Sequence, residues 1–290
     1  VLTIGGVSGT FKVKTRDDAP QPPGECGGSA GGKFAEPPTN NLCTVGEPTL
    51  AIVVPGLNGG TDWNWDCAGL NGGTPVTCSA IAAATIGGQE TDGNLRVTKF
   101  LDGSMNIERY VADQSKWFSQ VYGGTDKGSR LQTNNDGYTK YFLGYYDAEV
   151  SPPIRPLTTT LSQNGSKLTS TYEFGPPAAN GTGGVTYITG GTASRINVTQ
   201  ETTYQNGTNF ILYKWTIENP GNFPLYNLSF FHGEDTFFLN SDFGGGFWDA
   251  TTRTVGVERL DVAGSSFYQR MSLQAFEPVA AFESRDFMAV

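Results

Sequence analysis

Short apolar runs separated by turn-forming residues occupy most of this chain. The runs are Leu95–Phe100, Ile107–Val111, Trp117–Tyr122, Tyr138–Tyr146, Leu168–Phe174, Tyr187–Thr189, Ile196–Tyr204, Phe210–Ile217, Leu225–Phe231, Thr236–Leu239, Val255–Leu260 and Phe267–Leu273. Gly, Asn, Asp and Pro stand between them, as in Asp102-Gly103 and Thr133-Asn-Asn-Asp-Gly137. Strands spaced about 8–12 residues apart by such turns predict a sandwich or barrel. The pattern contains no convincing amphipathic helix. Residues 89–290 therefore read as one large antiparallel β-sandwich, or supersandwich.

At the other end, Phe11, Val13 and Thr15 alternate with Lys12 and Lys14, the period of a half-buried strand. Val1–Thr15 is expected to form an N-terminal strand, and the polar, Pro-rich stretch Arg16–Glu25 a connector, so 1–23 is strand plus linker. The sequence starts at Val1 and reads as a processed protein or part of a longer one.

Residues 24–88 form a third region, which holds all four cysteines. Cys26-Gly-Gly-Ser-Ala-Gly-Gly matches Cys67-Ala-Gly-Leu-Asn-Gly-Gly, and each copy is followed by another cysteine, Cys43 or Cys78. The repeat favours bridges Cys26–Cys43 and Cys67–Cys78 over the crossed pairings. Trp63-Asn-Trp65-Asp-Cys67 running into Asn71-Gly-Gly and Val76-Thr-Cys78 predicts a hairpin whose tryptophans and cystine share a small core. An even cysteine count at close spacing points to disulfides and an oxidising compartment. A metal site fits less well, because no Cys-x-x-Cys pair occurs and the single histidine, His232, is far downstream. The stretch 81–91 reads as a linker or crossing strand.

The order Cys-Gly-x-x-x-Gly-Gly, then Asn41-Leu42-Cys43, then Trp63 to Gly73 resembles a module of secreted and surface-anchored bacterial proteins, with Ile52–Gly60 as a departure from its pattern. The resemblance spans about residues 24–80 and implies export within a multi-domain architecture, with no activity attached. Trp215-Thr-Ile-Glu-Asn-Pro-Gly-Asn-Phe-Pro-Leu-Tyr-Asn-Leu-Ser229 is similar to the strand–turn–strand of immunoglobulin-like repeats in bacterial surface proteins. It implies β architecture and export.

Composition narrows the partners. Charged residues are 16% of the 290, below the usual quarter, and the net charge is −9. With no Lys/Arg cluster, nucleic acid is an unsuitable partner. No apolar run is long enough to span a membrane as a helix.

Candidate chemistry is sparse. In His232–Asp249, Asp235, Asn240 and Asp242 with glycine-loop carbonyls read as a tentative calcium site, the one cofactor considered. Their spacing matches no EF-hand, and the favoured alternative is a hairpin turning at Gly244–Gly246. Two carboxylates of the same segment are also candidates for a glycosidase pair, which spacing in sequence cannot test. His232 lacks a nearby nucleophile motif, with no Gly-x-Ser-x-Gly elbow in the chain. Asn164, Asn180, Asn197, Asn206 and Asn227 begin Asn-x-Ser/Thr sequons, candidate glycosylation sites in an exported protein. Trp117, Tyr145, Tyr146 and Trp248 are candidates for a sugar-stacking platform, or for core and cross-strand packing.

Export signals without catalytic ones lead to an expected role: an extracellular or cell-surface structural or adhesive protein, not an enzyme. Its partners are copies of itself or other surface components. The N-terminal strand is the candidate for adding to the sheet edge of a neighbouring copy and so building a filament. The alternative is a carbohydrate-binding or glycan-active β-sandwich.

Overall fold

A computed structural model describes residues 2–4, 7–9, 20–48, 62–101, 103–121, 126–133, 139–145, 158–174, 196–220, 228–233, 236–237, 244–260 and 268–276. The described chain is nearly all strand, and its only helical pieces are three-residue 3-10 turns. It divides into two compact units, Val1–Val54 with Asp62–Ala82, and Pro55–Thr61 with Ala83–Val290.

In the first unit, β1 (Leu2–Ile4) pairs antiparallel with β2 (Val7–Gly9), Ile4 opposite Val7. The N-terminal residues thus double back where a single strand was expected. Gly5-Gly6 stands between them in sequence, a pair that two-residue hairpins favour. Phe11, Val13 and Thr15 lie outside the described residues. Further on, β3 (Glu25–Cys26) pairs with β5 (Cys43–Val45), while β6 (Asp62–Cys67) pairs with the first half of β7 (Val76–Gly87). β4 (Lys33–Phe34) lies parallel to β7. The segment 81–87, open between linker and strand in the sequence, is the continuation of β7.

The disulfides correct the sequence expectation. They join Cys26 to Cys78 and Cys43 to Cys67, not Cys26 to Cys43 and Cys67 to Cys78. The repeat marks two ribbons, β3–β5 and β6–β7, and inside each ribbon the backbone ladder already holds the strands. Each bridge instead crosses from one ribbon to the other. The tryptophans add side-chain bonds, Trp65 toward the β3–β5 ribbon and Trp63 toward β4, which lies beside β7. Trp63 Nε1 donates to Phe34 O at 2.9 Å, and Trp65 Nε1 donates to Leu42 O at 2.9 Å. A region this small buries little apolar surface, so cross-links carry much of its stability.

In the second unit, the rest of β7 is followed by β8 (Leu95–Phe100), β9 (Met105–Val111) and β10 (Lys116–Ser119) in an antiparallel meander. The β8–β9 turn closes through Phe100 N to Ser104 O at 2.9 Å, with Gly103 at φ +96° as the Asp-Gly signal requires. β11 (Asp126–Thr133) lies between β12 (Thr139–Tyr145) and β17 (Ser229–Gly233). β13 (Thr158–Asn164), β14 (Lys167–Phe174), β15 (Ile196–Thr203) and β16 (Leu212–Glu218) make a four-stranded sheet in sequence order. β18 (Gly245–Asp249), β19 (Thr254–Leu260) and β20 (Tyr268–Gln274) make a three-stranded one.

The core follows from strict alternation. Leu168, Ser170, Tyr172 and Phe174 of β14, with Ile196, Val198, Gln200 and Thr202 of β15, point inward and are buried. Intervening residues such as Thr169, Glu173 and Glu201 point the other way. Tyr172, Phe174, Ile196 and Val198 cluster with Leu131 of β11, and Trp215, Ile217 and Phe230 pack against them. Two sheets meeting through their apolar faces are a sandwich. Each fully buried large side chain contributes about 1.5–3 kcal/mol. The β7–β10 sheet is tied to the same face: Lys99 Nζ donates to Gln200 Oε1 at 2.6 Å, and Leu95 N donates to Tyr204 Oη at 2.8 Å.

One local expectation changes. Gly245 and Gly246 are not a turn. They lie within β18 opposite Glu258 and Val257, and a Cβ at Gly244 would stand 2.3 Å from Val257 Cγ1. Gly244 thus serves close approach of the neighbouring strand. β16 pairs with β15, and β17 pairs with β11, so these two successive strands belong to different sheets.

Candidate functional site

Four sulfurs gather at the centre of the small unit. Cys67 and Cys78, on β6 and β7, are buried at 0% and 3% exposure, and their Sγ atoms lie 3.6 Å apart although they are not bonded to each other. Cys26 and Cys43 stand directly opposite each other on the β3–β5 ribbon and are only half-buried. The result is a stack of two bridges with a buried side and a solvent side. Gly24, Gly27 and Gly46 allow this stacking, since a Cβ on each would run into the backbone of Cys67, Asn41 and Ala68 respectively. Disulfides of this kind belong to a non-reducing environment.

In the second unit, the register of β11 and β17 sets Ser129 opposite His232, and Ser129 Oγ lies 2.9 Å from His232 Nδ1. Trp215 and Tyr213 of β16 flank the imidazole, with ring centroids 4.7 Å and 5.4 Å away, and Phe230 packs on Trp215 at 5.2 Å. A serine beside a histidine is the first half of a nucleophile–base pair. Here, however, Ser129 is 2% exposed, so its hydroxyl orients the ring and is not presented to a substrate. The cluster packs the sandwich at the edge of its aromatic core. Sequence reading missed Ser129 because its partner is 103 residues away and no local pattern marks it.

The other candidates scatter. Trp117 does not offer a free face: the Arg96 guanidinium sits 4.5 Å over its ring and Tyr110 packs at 5.2 Å. Arg96 is held in turn by Glu108, through bonds of 2.7 and 2.8 Å. The Glu108 hydrogen bond raises the Arg96 pKa, against an opposing desolvation by burial. Trp248 is 47% exposed on β18. The Tyr145 side chain and Tyr146 lie outside the described residues, so the four platform candidates are not brought together among them.

The calcium candidates Asp235, Asn240 and Asp242 also lie outside the described residues. Among the described residues, no group of three His, Cys, Asp or Glu side chains is placed to hold a metal ion. Of the sequons, Asn164 and Asn206 are exposed at the ends of strands, Asn180 and Asn227 lie outside the described residues, and Asn197 lies in the central strand β15 with its Oδ1 buried.

On the outer face of the four-stranded sheet, Glu201 receives Lys167 at 2.7 Å and Lys214 at 3.3 Å. These hydrogen bonds hold its carboxyl below the usual range. At the β18–β19 turn, the Asp249 carboxylate accepts from the Thr252 hydroxyl and from the Thr251 and Thr252 backbone N–H groups, which lowers its pKa as well. Both carboxylates serve strand pairing.

Comparison with known proteins finds no matching family model, curated protein or solved structure.

Proposed function

We propose that this chain is an extracellular structural or adhesive surface protein whose copies join through the edges of the N-terminal hairpin. The observation that carries this reading is the two-stranded β1–β2 sheet, which has no third strand among the described residues. A lone hairpin is marginal in water, and its outer backbone groups form a template for another strand. A neighbouring copy that supplies a strand edge completes the sheet by main-chain hydrogen bonds. The stapled cysteine module suits export into an oxidising medium, as does its resemblance to modules of secreted bacterial proteins. Deleting residues 1–9 tests the reading by light scattering. The expected result is concentration-dependent assembly of the intact chain that the deletion abolishes. Assembly unchanged by the deletion, or an intact chain that stays monomeric, contradicts it.

A second reading, glycan binding, is favoured by one observation, the half-exposed Trp248 on β18. A glycan array separates the two. Binding lost in Trp248→Ala supports the second, and an empty array removes it.

A further inference from the structure

We propose that the four cysteines form a thiol-exchange centre, where an incoming thiolate converts the two cross-ribbon bridges into one bridge within each ribbon. The arrangement of the sulfurs supports this exchange whether or not copies assemble through the hairpin.

The two bridges are Cys26–Cys78 and Cys43–Cys67. Their buried halves, Cys78 and Cys67, touch at 3.6 Å, while their outer halves, Cys26 and Cys43, face each other across the β3–β5 register. A thiolate from solvent reaches the outer sulfur of a bridge first, because Cys67 and Cys78 are 0% and 3% exposed. Exchange proceeds by attack of a thiolate on one sulfur of a disulfide with departure of the other.

Attack on Cys26 forms a mixed disulfide there, breaks the Cys26–Cys78 bond and expels Cys78 as a thiolate. That thiolate is buried, an unfavourable place for charge, and is already in contact with Cys67. Proximity of this kind converts the next step into an intramolecular one. Cys78 attacks Cys67, the Cys67–Cys78 bond forms, the Cys43–Cys67 bond breaks, and Cys43 leaves as a thiolate on the solvent side. Cys43 then attacks Cys26 and forms Cys26–Cys43, returning the incoming thiol to solution. Each step breaks one S–S bond and makes one. No oxidant or reductant is consumed, and the proton lost by the incoming thiol is returned to it at the end. Entry at Cys43 gives the same product by the mirror route.

The product carries the pairing that the internal repeat suggests, and no covalent link then joins the two ribbons. The Trp65 indole bond to Leu42 O and backbone bonds such as Gly24 N to Thr74 O and Ala68 N to Glu47 O remain as polar connections between them. If the incoming thiol stays on Cys26, Cys43 is left free at the surface. The site then captures a thiol, small or cysteinyl, and exposes one of its own in exchange.

The test is peptide mapping without reduction, on native protein treated with a trace of glutathione and quenched in acid before alkylation. The expected products are a Cys67–Cys78 cross-linked peptide and either Cys26–Cys43 or alkylated Cys43 beside glutathionylated Cys26. Glutathione on Cys26 with Cys78 alkylated, and Cys43–Cys67 intact, overturns the proposal. If the native chain does not react, the variant Cys26→Ser decides, since it leaves Cys78 as a thiol beside Cys67. A Cys67–Cys78 bridge with free Cys43 in that variant supports the relay. A retained Cys43–Cys67 bridge with free Cys78 refutes it.

Discussion

Among the described residues, the buried apolar side chains of the small unit are Trp63, Trp65, Cys67, Cys78, Ala80 and Ala82, whereas the large unit buries Tyr172, Phe174, Ile196, Val198 and Leu131 among others. The first set is two tryptophans, two half-cystines and two alanines. The second is a continuous layer of large side chains between sheets. In the small unit covalent bonds and indole hydrogen bonds join ribbons that have little area to bury. In the large unit alternation along β14 and β15 supplies the area and no cross-link is used. The same solvent conditions should therefore act on the two units differently, and each can be disrupted by a treatment to which the other is insensitive.

Reduction is the largest expected effect. The bridges close loops of 52 and 24 residues in sequence separation. In the chain-entropy account each contributes about 3–4 kcal/mol. Full reduction with alkylation is expected to unfold the cysteine module while the sandwich persists. Hydrogen exchange by mass spectrometry checks this: protection lost over 62–82 and kept over 167–174 and 196–203. Equal loss in both would mean that the two units unfold together and that the sandwich also depends on the bridges.

Next in size is a cavity in the sandwich. Phe174 is 0% exposed in the aromatic cluster, and Phe174→Ala is expected to cost about 3–5 kcal/mol by denaturant unfolding, with the disulfide pattern untouched. A loss below about 1 kcal/mol would mean that the β14–β15 face is not the core.

A smaller effect is expected from Gln200→Leu. It removes the carbonyl that accepts from Lys99 Nζ, a group that is 2% exposed and also donates to Gly103 O at 2.6 Å. A hydrogen bond to a charged group is worth about 1.5–3 kcal/mol, and a loss in that range is expected in the unfolding free energy.

Acid gives the smallest effect. Glu201 and Asp249 have depressed pKa values in the folded chain. A depressed carboxylate stabilises the fold above its unfolded pKa of about 4, and that contribution fades as pH falls through the folded value. A shallow decline of thermal stability below about pH 4 is expected, reduced in Asp249→Asn. An identical decline in the variant would remove Asp249 as a cause.

The strands with clear alternation were legible in the sequence. Leu95–Phe100 and Ile196–Tyr204 coincide with β8 and β15 almost residue for residue. Those missed in the large unit were β11 (Asp-Lys-Gly-Ser-Arg-Leu-Gln-Thr), β13 (Thr-Thr-Thr-Leu-Ser-Gln-Asn) and β18 (Gly-Gly-Phe-Trp-Asp). Each carries only one or two apolar residues, so its strand character comes from ladder partners elsewhere in the chain. The presence of disulfides was legible from cysteine number and spacing, but their partners were not. A repeat records which segments are alike, not which face of each ribbon meets the other. Ser129–His232 and Lys99–Gln200 join residues more than a hundred positions apart and left no local trace.

Electron microscopy of the native protein, with and without reductant, reads out whether disulfide-stapled copies of this chain assemble. Ordered assemblies that are lost when the bridges are reduced are the expected result. Dispersed single particles under both conditions would contradict it.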